Sequence, residues 1–306
     1  MCLNDAIDIS GAFSSLSSQL RAVKLPGVPP VGALPPGRLV ELPGRGSTYV
    51  VDSGPATGAP TFVLLHSLAC TGLLTWYPSL EMLRGFGRVV VFDQRWHGSG
   101  IASPRFLLED CADDVVALAD ELGAERIIPV GFSMGSLIAQ LVWHRHRHRV
   151  DGLVLCAAAA TFAEAAPKRL GTGIFAALLE AFSPAPRSSS ATAADHPVDS
   201  DIRWALGQFR ATSHGAILRV LAEMMRFDSR RWLGDIDVPT TVLISNRDRV
   251  ISPRQQQALA DEIPGAQTVG IDAGHASCTL APETFVPGLH CAVGSVLDRA
   301  TVSAAS

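Results

Sequence analysis

The stretch Pro129-Val130-Gly131-Phe132-Ser133-Met134-Gly135-Ser136 decides how this chain is read. Ahead of it, Arg126-Ile127-Ile128-Pro129-Val130 is a short apolar run that predicts a buried strand. Behind it, Leu137-Ile138-Ala139-Gln140-Leu141-Val142-Trp143 predicts the start of a buried helix. Between them Gly131-Phe132-Ser133-Met134-Gly135 spells G-x-S-x-G. A serine on a sharp strand-to-helix turn projects its hydroxyl out of the sheet edge. Its neighbours must be glycine, because a Cβ would clash with the tight backbone. The first helical N–H groups have no partner within the helix and point at whatever binds near the serine. That is a place for a nucleophile and an oxyanion. The five-residue pattern recurs by chance in many chains. The flanking strand and helix give it weight, and a base and an acid further along must complete it.

Working outward, the chain alternates strands and helices. Leu39-Val40-Glu41-Leu42 and Thr48-Tyr49-Val50-Val51, joined by Gly44-Arg45-Gly46, predict a hairpin. Thr61-Phe62-Val63-Leu64-Leu65 and Val89-Val90-Val91-Phe92 are continuous apolar runs, expected of central strands covered on both faces. A helix is predicted over Trp76 to Leu83. Another carries Cys111, Val115, Leu118 and Leu122 at helical spacing, with Gly123 as its C-terminal cap. The helix after Ser133 is predicted to close with His144-Arg145-His146-Arg147-His148-Arg149, and Gly152 to Cys156 reads as a strand. From about 160 to 235 strand signals stop. Ile174 to Phe182 and Ile217 to Phe227 read as helical pieces of an insertion. The sheet then resumes at Thr240 to Ile244. Ser252-Pro253-Arg254-Gln255 opens a helix with a capping box and a proline at its first position. Gln267 to Ile271 is a last strand, and a final helix runs from Pro282 to about Arg299. The expected class is α/β, a mostly parallel sheet flanked by helices. Residues 1–37 form a proline-rich leader, 38–159 and 236–306 the core, and 160–235 a helical cap.

Composition narrows the function classes. Of 306 residues 47% are hydrophobic and 18% charged, enough to bury a large core. A formal net charge of −4 provides no basic field for nucleic acid or anionic lipid. Six scattered cysteines show neither C-x-x-C nor zinc spacing and read as buried free thiols of a reducing compartment. No signal-peptide pattern opens the chain, and no uncharged apolar run is long enough to span a bilayer. A cytoplasmic protein is expected. No phosphate loop, dinucleotide fingerprint or metal spacing is present, so no cofactor and no metal is expected. His144 and His148, four apart, suggest a metal pair on one helical face. The interleaved arginines oppose a cation, and a solvated basic helix end complementing the macrodipole is the expectation.

A serine hydroxyl needs a base at neutral pH. His275, in Gly274-His275-Ala276-Ser277 just after a predicted strand, has small neighbours that leave its ring room. Asp248, in Ser245-Asn246-Arg247-Asp248-Arg249 beyond the strand ending at Ile244, fits the carboxylate that orients the base. Asp235, Asp237 and Asp272 are the alternatives. The first two precede their strand, and Asp272 lies only three residues before His275. His66 is expected to support the loop His66-Ser67-Leu68-Ala69-Cys70 rather than react, and Cys278 to be core or pocket wall.

With strand, elbow, acid and histidine in the order Ser, Asp, His, the chain resembles the α/β-hydrolases, in the capped branch of small lactonases, esterases and perhydrolases. The resemblance runs from about residue 38 to 298. It implies Ser133 as nucleophile, His275 as general base and then acid, and Asp248 as the carboxylate that holds the imidazole. It implies the backbone N–H groups of Met134 and Leu68 as the oxyanion hole. Three positions depart from the family pattern. Ser67 and Ser136 stand where glycine is usual, and Trp96 interrupts the commoner Arg-Gly-His-Gly. The expected activity is hydrolysis of a small-to-medium, mainly apolar ester or lactone, a small-molecule substrate. Acyl transfer, perhydrolysis or carbon–carbon bond hydrolysis by the same residues, or ligand sensing with little turnover, are the alternatives.

Overall fold

The computed structural model describes residues 30–55, 58–162 and 198–304. Most of the leader and the piece Ile174 to Phe182 therefore lie outside the described residues. Eight strands form one sheet: β1 (Arg38–Leu42), β2 (Gly46–Asp52), β3 (Thr61–Leu65), β4 (Arg88–Phe92), β5 (Ile128–Phe132), β6 (Leu153–Cys156), β7 (Thr240–Ser245) and β8 (Gln267–Ile271). Their spatial order is β1-β2-β4-β3-β5-β6-β7-β8. The hairpin joins the sheet antiparallel through β2 on β4, and every pairing from β4 to β8 is parallel. The parallel strands thus all end on one edge, where such sheets place their ligands.

Side-chain alternation explains the unbroken apolar runs. In β3, Val63 and Leu65 enter one core while Phe62 and Leu64 enter the other. Both faces are roofed by helices, Leu108–Glu121, Met134–Arg145 and Pro253–Glu262 on one and Pro282–Ala304 on the other. Each such side chain stabilises the fold by roughly 1.5–3 kcal/mol when fully buried. The edge strand β8 has a covered face only in part, with Gln267 and Thr268 exposed.

Three expectations are corrected. The helix over Trp76 to Leu83 is broken into Gly72–Trp76, a 3₁₀ turn Tyr77–Ser79 and Leu80–Arg84. Pro78 sits at the start of that turn, where a residue without an N–H is tolerated, whereas inside a continuous helix it would remove a backbone hydrogen bond. The helix after Ser133 ends at Arg145, not Arg149, because His146 leaves helical dihedrals at φ −137° and ψ 48°. Arg147–Arg149 forms a separate 3₁₀ turn, so His144 and His148 share no helical face. The basic end is spent on salt bridges instead, with Arg145 and His146 both bonded to Asp113. The helix predicted over Ile217 to Phe227 lies three residues earlier, at His214–Met224, capped by Ser213. A second helix, Val198–Arg210, precedes it. The capping box at Ser252 and Gln255 forms in full. Among the described residues no helix is long and apolar enough to cross a membrane.

Candidate active site

The turn after β5 places Ser133 at φ 53°, ψ −114°, a conformation that costs an ordinary residue of order 1–3 kcal/mol. The surroundings hold it there. The Ser133 N–H donates to Cys156 O at 3.0 Å, tying the turn to the end of β6. A Cβ on Gly131 would be driven into the Gly135 carbonyl, and one on Gly135 into Leu65 O, so both flanking positions admit only glycine. Ser136, where glycine is usual, adds a brace: its hydroxyl donates to Ser133 O at 2.6 Å.

The structure brings Ser133, His275 and Asp248 together across the carboxyl edge of the sheet. Ser133 Oγ lies 2.9 Å from His275 Nε2, and His275 Nδ1 lies 2.7 Å from Asp248 Oδ2. All three side chains are buried. A carboxylate only accepts, so the Asp248 contact assigns the imidazole proton to Nδ1 and leaves Nε2 as an acceptor facing the serine. Asp248 is itself held by four donors. Oδ1 accepts from the Val250 and Ile251 N–H groups at 2.8 and 2.9 Å, and Oδ2 accepts from Gln256 Nε2 at 3.2 Å as well as from His275. The alternative acids point elsewhere. Asp272 is exposed and pairs with Arg247, Asp237 accepts from Trp143, and Asp235 lies beside Arg147 on the surface.

The two amides expected to serve as oxyanion donors, those of Met134 and Leu68, come from different elements. Met134 opens its helix, so its N–H has no intrahelical acceptor. Leu68 sits in the tight turn after β3, closed by Cys70 N–H donating to Ser67 O at 3.3 Å with Ala69 at φ 64°. Neither amide donates to a partner among the described residues. His66 sets this turn from behind. Its Nε2 accepts from the Gln94 N–H at 2.8 Å, so Nδ1 carries the proton and donates to Ser67 O, also at 2.8 Å. Complete burial, with His97 close by, holds this imidazole well below the ordinary range, and burial pushes His97 down to about 4. Cys278 is buried behind the site, its thiol pushed up to about 12 by burial.

Several supporting residues escaped the sequence reading. Gln256 falls eight residues after Asp248 on the helix opened by the capping box, and no local pattern marks it. Asp93 accepts from Gly72 N–H at 2.9 Å and Ser99 N–H at 2.8 Å, stitching the turn after β4 to the segment that follows Leu68. Burial raises its carboxyl above the usual range. Thr71 and Gln208 bond across 137 positions of sequence. Trp96 occupies a left-handed position, φ 64°, where the resembled family uses glycine, and packs 5.5 Å from Phe106. No group of three or more potential metal-ligating side chains occurs among the described residues.

Comparison with known proteins agrees with the fold. The family model for serine aminopeptidase, S33 matches residues 83–272. The putative carbamate hydrolase RutD of Stutzerimonas stutzeri is 29% identical over 244 residues, 74% of this chain and 89% of the relative. The 3-oxoadipate enol-lactonase 1 of Acinetobacter baylyi is 25% identical over 260 residues, 79% of this chain and 91% of that protein. The crystal structure of the enol-lactonase from Burkholderia xenovorans superposes with a TM-score of 0.66 at 25% identity, covering 84% of this chain and 100% of the other.

Proposed function

The chain belongs to the α/β-hydrolase superfamily, in the family described as serine aminopeptidase, S33, and is a hydrolase; on that premise we propose that it cleaves a small-to-medium, mainly apolar carboxylic ester or lactone through an acyl-Ser133 intermediate. The observation that carries the reading is the buried relay from Ser133 through His275 to Asp248 at 2.9 and 2.7 Å. The lactonase relatives support the substrate class.

In this reading His275 Nε2 takes the Ser133 proton as Oγ attacks the carbonyl carbon. Asp248 stabilises the imidazolium and keeps its tautomer. The carbonyl oxygen becomes an oxyanion between the N–H groups of Met134 and Leu68. The C–O bond to the leaving alkoxide then breaks, and His275 hands it the proton. Water repeats the sequence on the acyl-enzyme: His275 takes its proton, the acid departs and Ser133 is regenerated. In a lactone the alkoxide stays tethered to the acyl group. Residues 160–235 act as a cap. The described helices Val198–Arg210 and His214–Met224 support this, since the first packs against Cys70 and Leu74 through Ala205.

Intact mass after exposure to a fluorophosphonate tests the reading. One adduct on the wild type, none on Ser133→Ala, and loss of turnover in that variant on an ester and lactone panel are expected. Wild-type turnover by Ser133→Ala would overturn it.

A further inference from the structure

The segment after β3 does two jobs on adjacent residues. Leu68 is the residue read as an oxyanion donor, and three residues later Thr71 caps the helix Gly72–Trp76, its hydroxyl oxygen accepting the Leu74 N–H at 3.2 Å. With that oxygen engaged as acceptor, the Thr71 hydroxyl hydrogen is free to donate, and it meets Gln208 Oε1 at 2.7 Å. Gln208 lies on Val198–Arg210, within the stretch read as the cap. The same helix sets Ala205 into a small apolar cluster with Cys70 and Leu74, and brings Trp204 edge-on to Tyr77 at 5.4 Å. Every one of these contacts falls on Cys70 to Tyr77, the continuation of the Leu68 turn. On the other side Asp93 holds the Gly72 N–H. The turn is therefore clamped between a core carboxylate and a side chain from Val198–Arg210.

We propose that Gln208 is a positioning residue: its hydrogen bond to Thr71 makes the placement of the Leu68 N–H depend on the docking of helix Val198–Arg210. The proposal rests on the reading of Leu68 as an oxyanion donor. Its physical basis is the steepness of such donors with distance. They work only near 2.7–3.1 Å from where the oxyanion forms, and a small displacement of the turn removes much of their effect. The bond also reads out cap position, because an undocked helix takes Gln208 away from Thr71.

The test compares Gln208→Leu, which removes the acceptor at similar size, with Gln208→Glu, which keeps an acceptor oxygen. Steady-state kinetics on p-nitrophenyl butyrate and the rate of fluorophosphonate labelling of Ser133 are measured on each. Gln208→Leu is expected to lower kcat by about 10- to 100-fold, less than the roughly 10²–10³ of losing a donor outright. KM should stay within about twofold, and labelling should slow by a similar factor, because the lost effect belongs to the transition state. Gln208→Glu should recover most of kcat. Gln208→Leu combined with Thr71→Val should be no worse than the poorer single variant, since both break one bond. An unchanged kcat in Gln208→Leu, a loss confined to KM, or Gln208→Glu as impaired as Gln208→Leu would overturn the proposal. If Gln208→Leu does not fold, Gln208→Asn withdraws the acceptor by one methylene and carries the same expectations. Labelling of the wild type separates the two levels: an unlabelled wild type brings down the hydrolase reading and this proposal together, while a labelled wild type matched in rate by Gln208→Leu brings down this proposal alone.

Discussion

At the scale of single residues, the site is a set of groups each left with one geometry. Asp248 has four donors on two oxygens, so its carboxylate cannot turn. Asp248→Asn would present an amide to His275 Nδ1 and favour the wrong tautomer. We expect kcat to fall by about three to four orders of magnitude with little change in KM, measured by steady-state ester kinetics. The same closeness protects the thiols. Cys70, Cys111, Cys156 and Cys278 are buried, and burial raises all four thiols. Cys291 is exposed. Brief iodoacetamide treatment of the native protein at pH 7.5 (a value of about that order keeps raised thiols protonated) should modify Cys291 and leave those four intact by peptide mapping. Modification of Cys278 at a comparable rate would contradict its burial.

At the scale of elements, ends matter more than middles. The helix Pro253–Glu262 follows Asp248 and carries Gln256, so its first turn bears on the site. Ser252 accepts the Gln255 N–H, and the Gln255 side chain accepts the Ser252 N–H at 3.1 Å. Ser252→Ala should cost about 1 kcal/mol in urea unfolding, the usual value of such a cap. The elbow is less forgiving. Gly135→Ala would press a methyl group into the Leu65 carbonyl, inside the pairing of β3 with β5. It should lower the melting temperature sharply and abolish fluorophosphonate labelling; a stable, labelled variant would show that the turn can open.

At the scale of the whole molecule, burial of His66 and His97 couples stability to pH. Both imidazoles are held neutral in the fold, His97 down to about 4, against an ordinary value of 6.5. Their contribution is complete above 6.5 and is lost as pH falls, because the unfolded chain takes up protons that the native protein refuses. Stability should therefore fall as the pH is lowered from 7 to 5. Asp93, raised by burial, acts in the opposite sense nearer the carboxylate range. Urea unfolding at pH 7 and pH 5 checks the net effect, and equal stability at both would contradict it. The strands, the elbow and the capping box were legible because each is a local pattern: β3 alternates between two cores, Gly131 and Gly135 flank Ser133, and Ser252 and Gln255 stand one turn apart. Even the partners of Ser133 could be read, since they follow strand ends in sequence. What the chain alone left open was every choice made across space. Gln256 on Asp248, His66 under Ser67, and Gln208 on Thr71 join residues whose neighbourhoods carry no mark of one another. Arg145, at the end of the basic helix, is held by Asp113, 32 positions earlier on another helix. Local sequence determines which backbone conformations are cheap; only the packed sheet determines which distant side chain arrives within hydrogen-bonding distance.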